Sequence, residues 1–270
     1  MKNTSYLFLA LTLLAFVQAC ATKQYDHTSW NTAAADSTAV PRQHVPLKMY
    51  DRNSKLNYDI ANDRENLYVY IKTADPLTQT RISRAGMQLA IDPQGKKLFP
   101  VSIDYPLAHV RELPVSREEM RPARDPGSRA ERRKQAMLSQ TQMILSGFRE
   151  ANGPQALETP DGIRVSIDWS PDGMMYYEAR IPFKTFYKEQ ISASDTLKPF
   201  NFRITLNALP SMGGEGFAGG PPPGGGGFPG GGGPGGPPPG GGQPGGSMGG
   251  MNSSLFVESN ISFRMKLSHP

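Results

Sequence analysis

The 270-residue chain has one cysteine, two tryptophans and four histidines. A single thiol makes no disulfide within the chain, so the fold must be held by its core alone. His27, His44, His109 and His269 are scattered, and no HExxH or His/Cys ligand spacing occurs. The common zinc sites are thereby excluded. No Gly-Lys-Ser or Gly-Lys-Thr follows a glycine-rich loop, which excludes a phosphate-cradling P-loop. The longest apolar run, Tyr6 to Val17, covers 12 residues. As a helix it rises about 18 Å, short of the roughly 30 Å hydrocarbon core of a bilayer. Glycine and proline are plentiful, but 22 of the 29 glycines lie in residues 213–250. What remains outside the termini and that tract suffices for one core and is too short for two ordinary domains.

Lys2 followed by that apolar run reads as a signal sequence rather than a span. The run ends in Val17-Gln18-Ala19-Cys20, which resembles the bacterial lipobox. The resemblance implies removal of residues 1–19 and acylation of Cys20, which is the only thiol in the chain. Several acyl chains anchor a protein stably where one is marginal. Residues 20–45 then read as the lipidated Cys and a flexible tether, rich in Ala, Thr, Ser, Asp and Gln. Twenty-five such residues reach roughly 25–30 Å on average.

The folded part is expected over 46–212 and 251–270. Leu56 to Ile60 and Leu67 to Thr73 alternate apolar and polar about the turn cluster 62–66, which predicts a hairpin. A short helix over 77–84 and a strand over 87–91 follow. Asp92-Pro-Gln-Gly95 and Ser170-Pro-Asp-Gly173 have turn chemistry. Further strands are expected over 163–169, 175–181, 200–206 and 261–267, with Trp169 on the core face. Residues 101–160 show no clear period at first and read as an excursion. Within it, Ser128 to Glu131 matches a capping box, and Met137, Thr141, Ile144, Leu145 and Phe148 keep helical spacing, predicting an amphipathic helix over 128–147. Seven or so alternating strands make an all-β, antiparallel β-sandwich with one inserted amphipathic helix.

Four segments, Leu56–Ile60, Asn62-Asp63…Glu65-Asn66-Leu67-Tyr-Val-Tyr-Ile71, Gly86-Met-Gln-Leu-Ala-Ile-Asp92-Pro-Gln-Gly95 and Tyr177-Glu-Ala-Arg-Ile-Pro182-Phe183, carry a resemblance. Together they are similar to the carbohydrate-binding module family 9-like, or DOMON-like, domains found in lipoproteins of Bacteroidetes-type bacteria. The resemblance implies a sandwich and, in the sugar-binding members, a pair of Trp rings that grips the sugar. Here the two tryptophans are Trp30 in the tether and Trp169 on the core face. Some DOMON relatives hold haem through Met and His, which makes a haem-binding redox domain a third reading.

The 213–250 tract interrupts two core strands. Lengthening a loop from about 4 to 38 residues costs roughly 2 kcal/mol, which a sandwich tolerates. The tract lacks the Gly triplet of collagen and contains no Arg, so it is neither a triple helix nor an arginine-rich RNA segment. It reads as a disordered Gly/Pro-rich loop whose PPP runs offer polyproline II to a partner. Residues 111–134 carry eight basic and five acidic side chains, a solvated face or a contact for acidic lipid or polysaccharide.

No catalytic site, metal site or cofactor is expected. Asp92 to Gly95 and Asp168 to Gly173 lack the EF-hand ligand series for Ca²⁺. If the strands share a sheet, their polar faces align Tyr68, Tyr70, Tyr176, Arg180, Arg203, Asn207 and Arg264. Aromatic rings stack on sugars, and Arg and Asn supply donors. The alternative is that helix 128–147 covers these tyrosines as a second small core. The leading expectation is a lipid-anchored, non-catalytic envelope module that binds glycan. The runner-up is an adaptor lipoprotein holding another envelope protein through its Gly/Pro loop. Both place the chain at the bacterial envelope, on the outer membrane rather than the inner, with no nucleic-acid partner.

Overall fold

Alternation of apolar and polar side chains along extended segments produces two sheets whose apolar faces meet. The computed structural model describes residues 26–30, 46–108, 126–209 and 253–270. One sheet has the order β1 (Asp26–His27), β13 (Ser259–Lys266), β12 (Pro199–Leu206), β6 (Met87–Asp92), β7 (Val101–Asp104), β8 (Gln142–Ser146) and β9 (Gly153–Ala156). The other runs β10 (Arg164–Trp169), β11 (Met175–Pro182), β5 (Asn66–Thr73), β4 (Leu56–Asn62) and β2 (Ser29–Trp30), with β3 (Met49–Asp51) also paired to β4. Pairing is antiparallel except where β1 joins β13 and β2 joins β4. The architecture is the expected β-sandwich. Among the described residues two α-helices accompany it, α1 (Pro76–Ala85) and α2 (Pro126–Leu138), packed against each other.

The alternation reads directly as inside and outside. Leu67, Val69 and Ile71 of β5 face Phe202, Ile204 and Leu206 of β12 in one continuous core. Fully burying such a side chain contributes about 1.5–3 kcal/mol. Aromatic rings cross between the sheets: Tyr58 of β4 lies 4.8 Å from Phe263 of β13, which stacks at 5.5 Å on Phe202. The expected hairpin forms, with Tyr58 opposite Ile71. Its turn is closed by Asp63, whose carboxylate accepts from the amides of Glu65 and Asn66 at 2.7 and 2.6 Å. The short helix forms as α1, capped by Asp75, which accepts from the Thr78 amide. A loop of standard turn chemistry follows β6, closed by the Gly95 amide on the Asp92 carbonyl.

Three expectations are corrected. The helix over 128–147 ends at Leu138, and Gln142–Ser146 is a strand. Met143 and Leu145 are buried while Gln142, Ile144 and Ser146 are exposed, a period of two. Met137, Thr141, Ile144 and Leu145 fit a helical period by coincidence, and the free edge of β7 decides the outcome by pairing with β8. Gly147 does not end a helix. It adopts φ +75°, and a Cβ there would lie 1.8 Å from the Pro100 carbonyl oxygen. The region 101–160 is likewise no simple excursion, because β7, β8 and β9 extend the larger sheet.

The third correction concerns residues 26–30, expected within the tether. They lie along both sheets. Thr28 is buried, its amide donates to the Lys266 carbonyl, and its hydroxyl donates to Asn62. Trp30 packs against the core and approaches the His269 ring at 6.0 Å. The remaining tether, Cys20 and the 213–250 tract lie outside the described residues.

Tyr177 shows where packing overrides polarity. Its ring is in the core at 1% exposure, and its hydroxyl has no hydrogen-bond partner among the described residues. Burial pushes its pKa far above the usual phenol range, with Tyr105 and Asp104 adding to the shift. An orphaned buried hydroxyl is unfavourable by about 1–3 kcal/mol. Tyr177→Phe is therefore expected to raise stability by about 1 kcal/mol, read as a higher urea midpoint at unchanged slope.

Candidate functional site

The seven side chains expected to share one face occupy two opposite faces. Strands β5 and β11 belong to the smaller sheet, and β12 and β13 to the larger. The outward residues of the two sheets point away from each other across the core. Tyr68, Tyr70, Tyr176 and Arg180 lie on one side of the molecule. Arg203, Asn207 and Arg264 lie on the other.

On the smaller sheet, register places Tyr70 between Asp59 and Glu178, and Tyr68 between Ala61 and Arg180. The two rings are parallel within 3° at 6.4 Å. Both are buried, at 6% and 7% exposure, in a small cluster with Ala61 and Leu47. The Tyr68 hydroxyl donates to Asp63 at 2.8 Å. A second small core over these tyrosines is therefore present, but Leu47 belongs to it rather than the helix over 128–147. Tyr176 is half-buried between Lys72 and Asp168. Arg180 is exposed, donates to the Asn66 side chain at 3.2 Å, and sits opposite Arg164.

On the larger sheet a polar chain runs across three strands. Arg264 donates to Asn201 at 2.6 Å, and the Asn201 amide donates to Asp92 at 3.0 Å. The Asp92 carboxylate also accepts from the backbone amides of Gln94 and Leu98. This carboxylate therefore shapes the loop after β6. Lys97 and Phe99 in that loop have φ of 61° and 47°, a left-handed conformation that is an outlier for a bulky residue. The bend returns Phe99 onto the sheet, where the Arg203 guanidinium lies 4.3 Å from its ring centroid. Such a stack is worth about 0.5–1 kcal/mol at an exposed site, and it holds the guanidinium flat. Register surrounds Arg203 with small side chains, Ala90 and Ser262, with Ser102 one strand further. Arg203 makes no hydrogen bond or ion pair among the described residues, and its Nε is buried without a partner.

Further along the same face, Gln88 donates to Asp104 at 3.0 Å, and Thr205 donates to Asn260 at 2.6 Å. Burial raises the Asp104 pKa, and the Gln88 hydrogen bond opposes it. Asn207 has a structural part, since its amide donates to the Ala85 carbonyl at the end of α1. Sequence reasoning did not place Phe99, Asn201 or Asp92 in the site: Asn201 is only an outward strand position and Asp92 only a turn residue, and nothing local announces that Phe99 folds back onto Arg203.

Among the described residues no three His, Cys, Asp or Glu side chains gather to hold a metal ion. Asp92 is committed to its turn, and Asp172 accepts from the Ser170 hydroxyl. Among the same residues no helix is long and apolar enough to cross a membrane.

No protein-family description and no curated protein matches the chain. Among solved structures, it is similar to a carbohydrate-binding module of family 9 from Caldicellulosiruptor kristjanssonii, in complex with glucose. The TM-score is 0.35 and the identity 10%, over 92% of this chain and 97% of that one. The β-sandwich therefore rests on the two observed sheets themselves.

Proposed function

We propose that the chain is a lipid-anchored, non-catalytic binding module of the bacterial envelope, and that it takes glycan on the outer face of the larger sheet. One observation carries the reading: a guanidinium laid on an aromatic ring, with its donors unused and one of them buried. Arginine has five N–H donors and no acceptor. A buried donor left unmade is unfavourable by about 1–3 kcal/mol, which a ligand oxygen recovers on binding. Glycan hydroxyls and carboxylates supply such oxygens, and the serines beside Arg203 leave room for them. Phe99 adds an apolar ring at the rim of the same face. Anchoring is supported by the signal-like segment and the lipobox-like residues ending in Cys20. Placement on the outer membrane is part of the same proposal.

A thermal-shift screen of Ala21–Pro270 against neutral and acidic oligosaccharides tests the glycan reading. At a ligand concentration of about 100 Kd the native state gains about 2.7 kcal/mol, and Tm rises by roughly 5–10 °C for a domain of this size. Arg203→Ala should abolish the shift, while Tyr68→Phe should leave it. A flat panel from a folded chain, or a shift that survives in R203A, rejects this site.

A further inference from the structure

We infer that one end of the sandwich, formed by the loops 93–99 and 193–198, rests on an anionic lipid bilayer. The two most exposed large apolar side chains among the described residues are Leu98, at 73%, and Leu197, at 70%. Each stands beside exposed lysines, Lys96 and Lys97 for the first and Lys198 for the second. The loops are neighbours, since a Cβ on Gly95 would lie 3.0 Å from the Pro199 carbonyl oxygen. Exposed apolar tips ringed by cations suit the boundary between anionic headgroups and acyl chains. The exposed carboxylates at this end, Asp26, Glu65, Glu150 and Glu189, are outnumbered by the exposed cations Arg64, Lys96, Lys97, Arg149, Lys184 and Lys198. Asp92 and Asp195 are buried and hydrogen-bonded.

The N-terminal segment is riveted to the same end. Pro199 pairs with Lys266, whose carbonyl accepts the Thr28 amide. The Ser268 amide donates to the Thr28 hydroxyl at 2.9 Å, and the Ser268 hydroxyl donates to the Thr28 carbonyl. Six peptide steps separate Cys20 from Asp26, a reach of at most about 21 Å. Three strand spacings, about 14 Å, separate β1 from β6. An anchor at Cys20 therefore holds both leucine loops within reach of the bilayer, where an unattached tether through residue 45 would let the domain float. The Arg203 face stands beside this end, so a ligand held there lies close to the membrane surface.

The inference rests on acylation of Cys20 in the proposed function, and the test separates the two. The chain from Cys20 to Pro270 is coupled through its one thiol to a maleimide lipid in phosphatidylethanolamine/phosphatidylglycerol vesicles. The acyl chains carry bromine, and the variants are L98W, L197W and V257W. Val257 is 63% exposed and precedes β13 at the opposite end. Emission added by L98W and by L197W should be quenched several-fold more than that added by V257W. Each lysine near an anionic surface is worth about fivefold in partition, so K96Q/K97Q/K198Q should weaken docking by about 100-fold. Phosphatidylcholine vesicles should weaken it similarly. Equal quenching in all three tryptophan variants overturns the inference and leaves the anchor standing. An unacylated Cys20, read by mass on the chain from its bacterial host, overturns both.

Discussion

Arg81→Met is expected to lower the unfolding free energy by about 3–5 kcal/mol, measured as a reduced urea midpoint. Arg81 lies on α1 at 4% exposure. Its Nε donates to the Asn207 carbonyl at 2.8 Å, and Nη2 donates to the carbonyls of Leu206 and Val257. Those carbonyls stand where the chain leaves β12 and where it returns to β13, on either side of the glycine-rich insertion. Burial pulls the guanidinium pKa down, and Glu258 nearby pulls it back up. The Leu209 amide donates to the Leu255 carbonyl, and Ala85, Leu209 and Leu255 form a small apolar cluster beside it. Together these contacts bring the two ends of the insertion together, so the 38-residue tract closes onto a fixed base. Methionine fills a similar volume without donors, so the buried Leu206 carbonyl and the part-buried Asn207 and Val257 carbonyls lose this partner. A variant as stable as the parent would show that the clamp contributes nothing.

Asp195→Asn is the second large effect, about 3 kcal/mol at pH 7. Asp195 is 5% exposed and lies in the one-turn helix Ala193–Leu197. Its carboxylate accepts from Lys188 at 2.6 Å, Tyr187 at 2.6 Å, and the Ser192 amide and hydroxyl at 2.7 and 2.8 Å. Burial pushes its pKa up, but hydrogen bonds from Lys188, Tyr187 and Ser192 outweigh burial and hold it well below the usual carboxylate range. An unfolded Asp titrates near about 3.9. The folded chain therefore binds fewer protons than the unfolded chain in this window. The stabilisation is fully present above about pH 4 and is lost as pH falls from there through the lower folded value. Urea midpoints at pH 7 and pH 3 check this: the parent should lose stability on acidification, and the difference between parent and D195N should shrink. A constant difference would rule out the ionised carboxylate as its source. The same network positions Tyr187 against Phe200 at 5.1 Å, so part of the loss passes through the core.

The two faces illustrate how a correct local reading fails at a distance. Tyr68, Tyr70, Arg203 and Arg264 all point outward, as alternation requires. Whether they point the same way depends on which strands pair. Residues 66–73 pair with 175–182, and residues 199–206 with 87–92 and 259–266. Those partners lie up to 119 positions apart, as Met87 and Leu206 do, and no local pattern encodes them. The same holds for Phe99, whose place on Arg203 depends on the Asp92 carboxylate being drawn to Asn201 of β12.

The strands at 56–62, 66–73, 87–92, 164–169, 175–182, 199–206 and 259–266, their inward residues and the turns at 62–66, 92–95 and 170–173 were determined by sequence alone, because a period of two and turn chemistry are properties of neighbouring residues. Tertiary structure alone decided that Met143 and Leu145 join a strand, that residues 26–30 tie both sheets together, and that the polar side chains divide between two faces. Each of those outcomes depends on an edge with unpaired amides and carbonyls, and only the assembled sheets present that edge to a distant part of the chain.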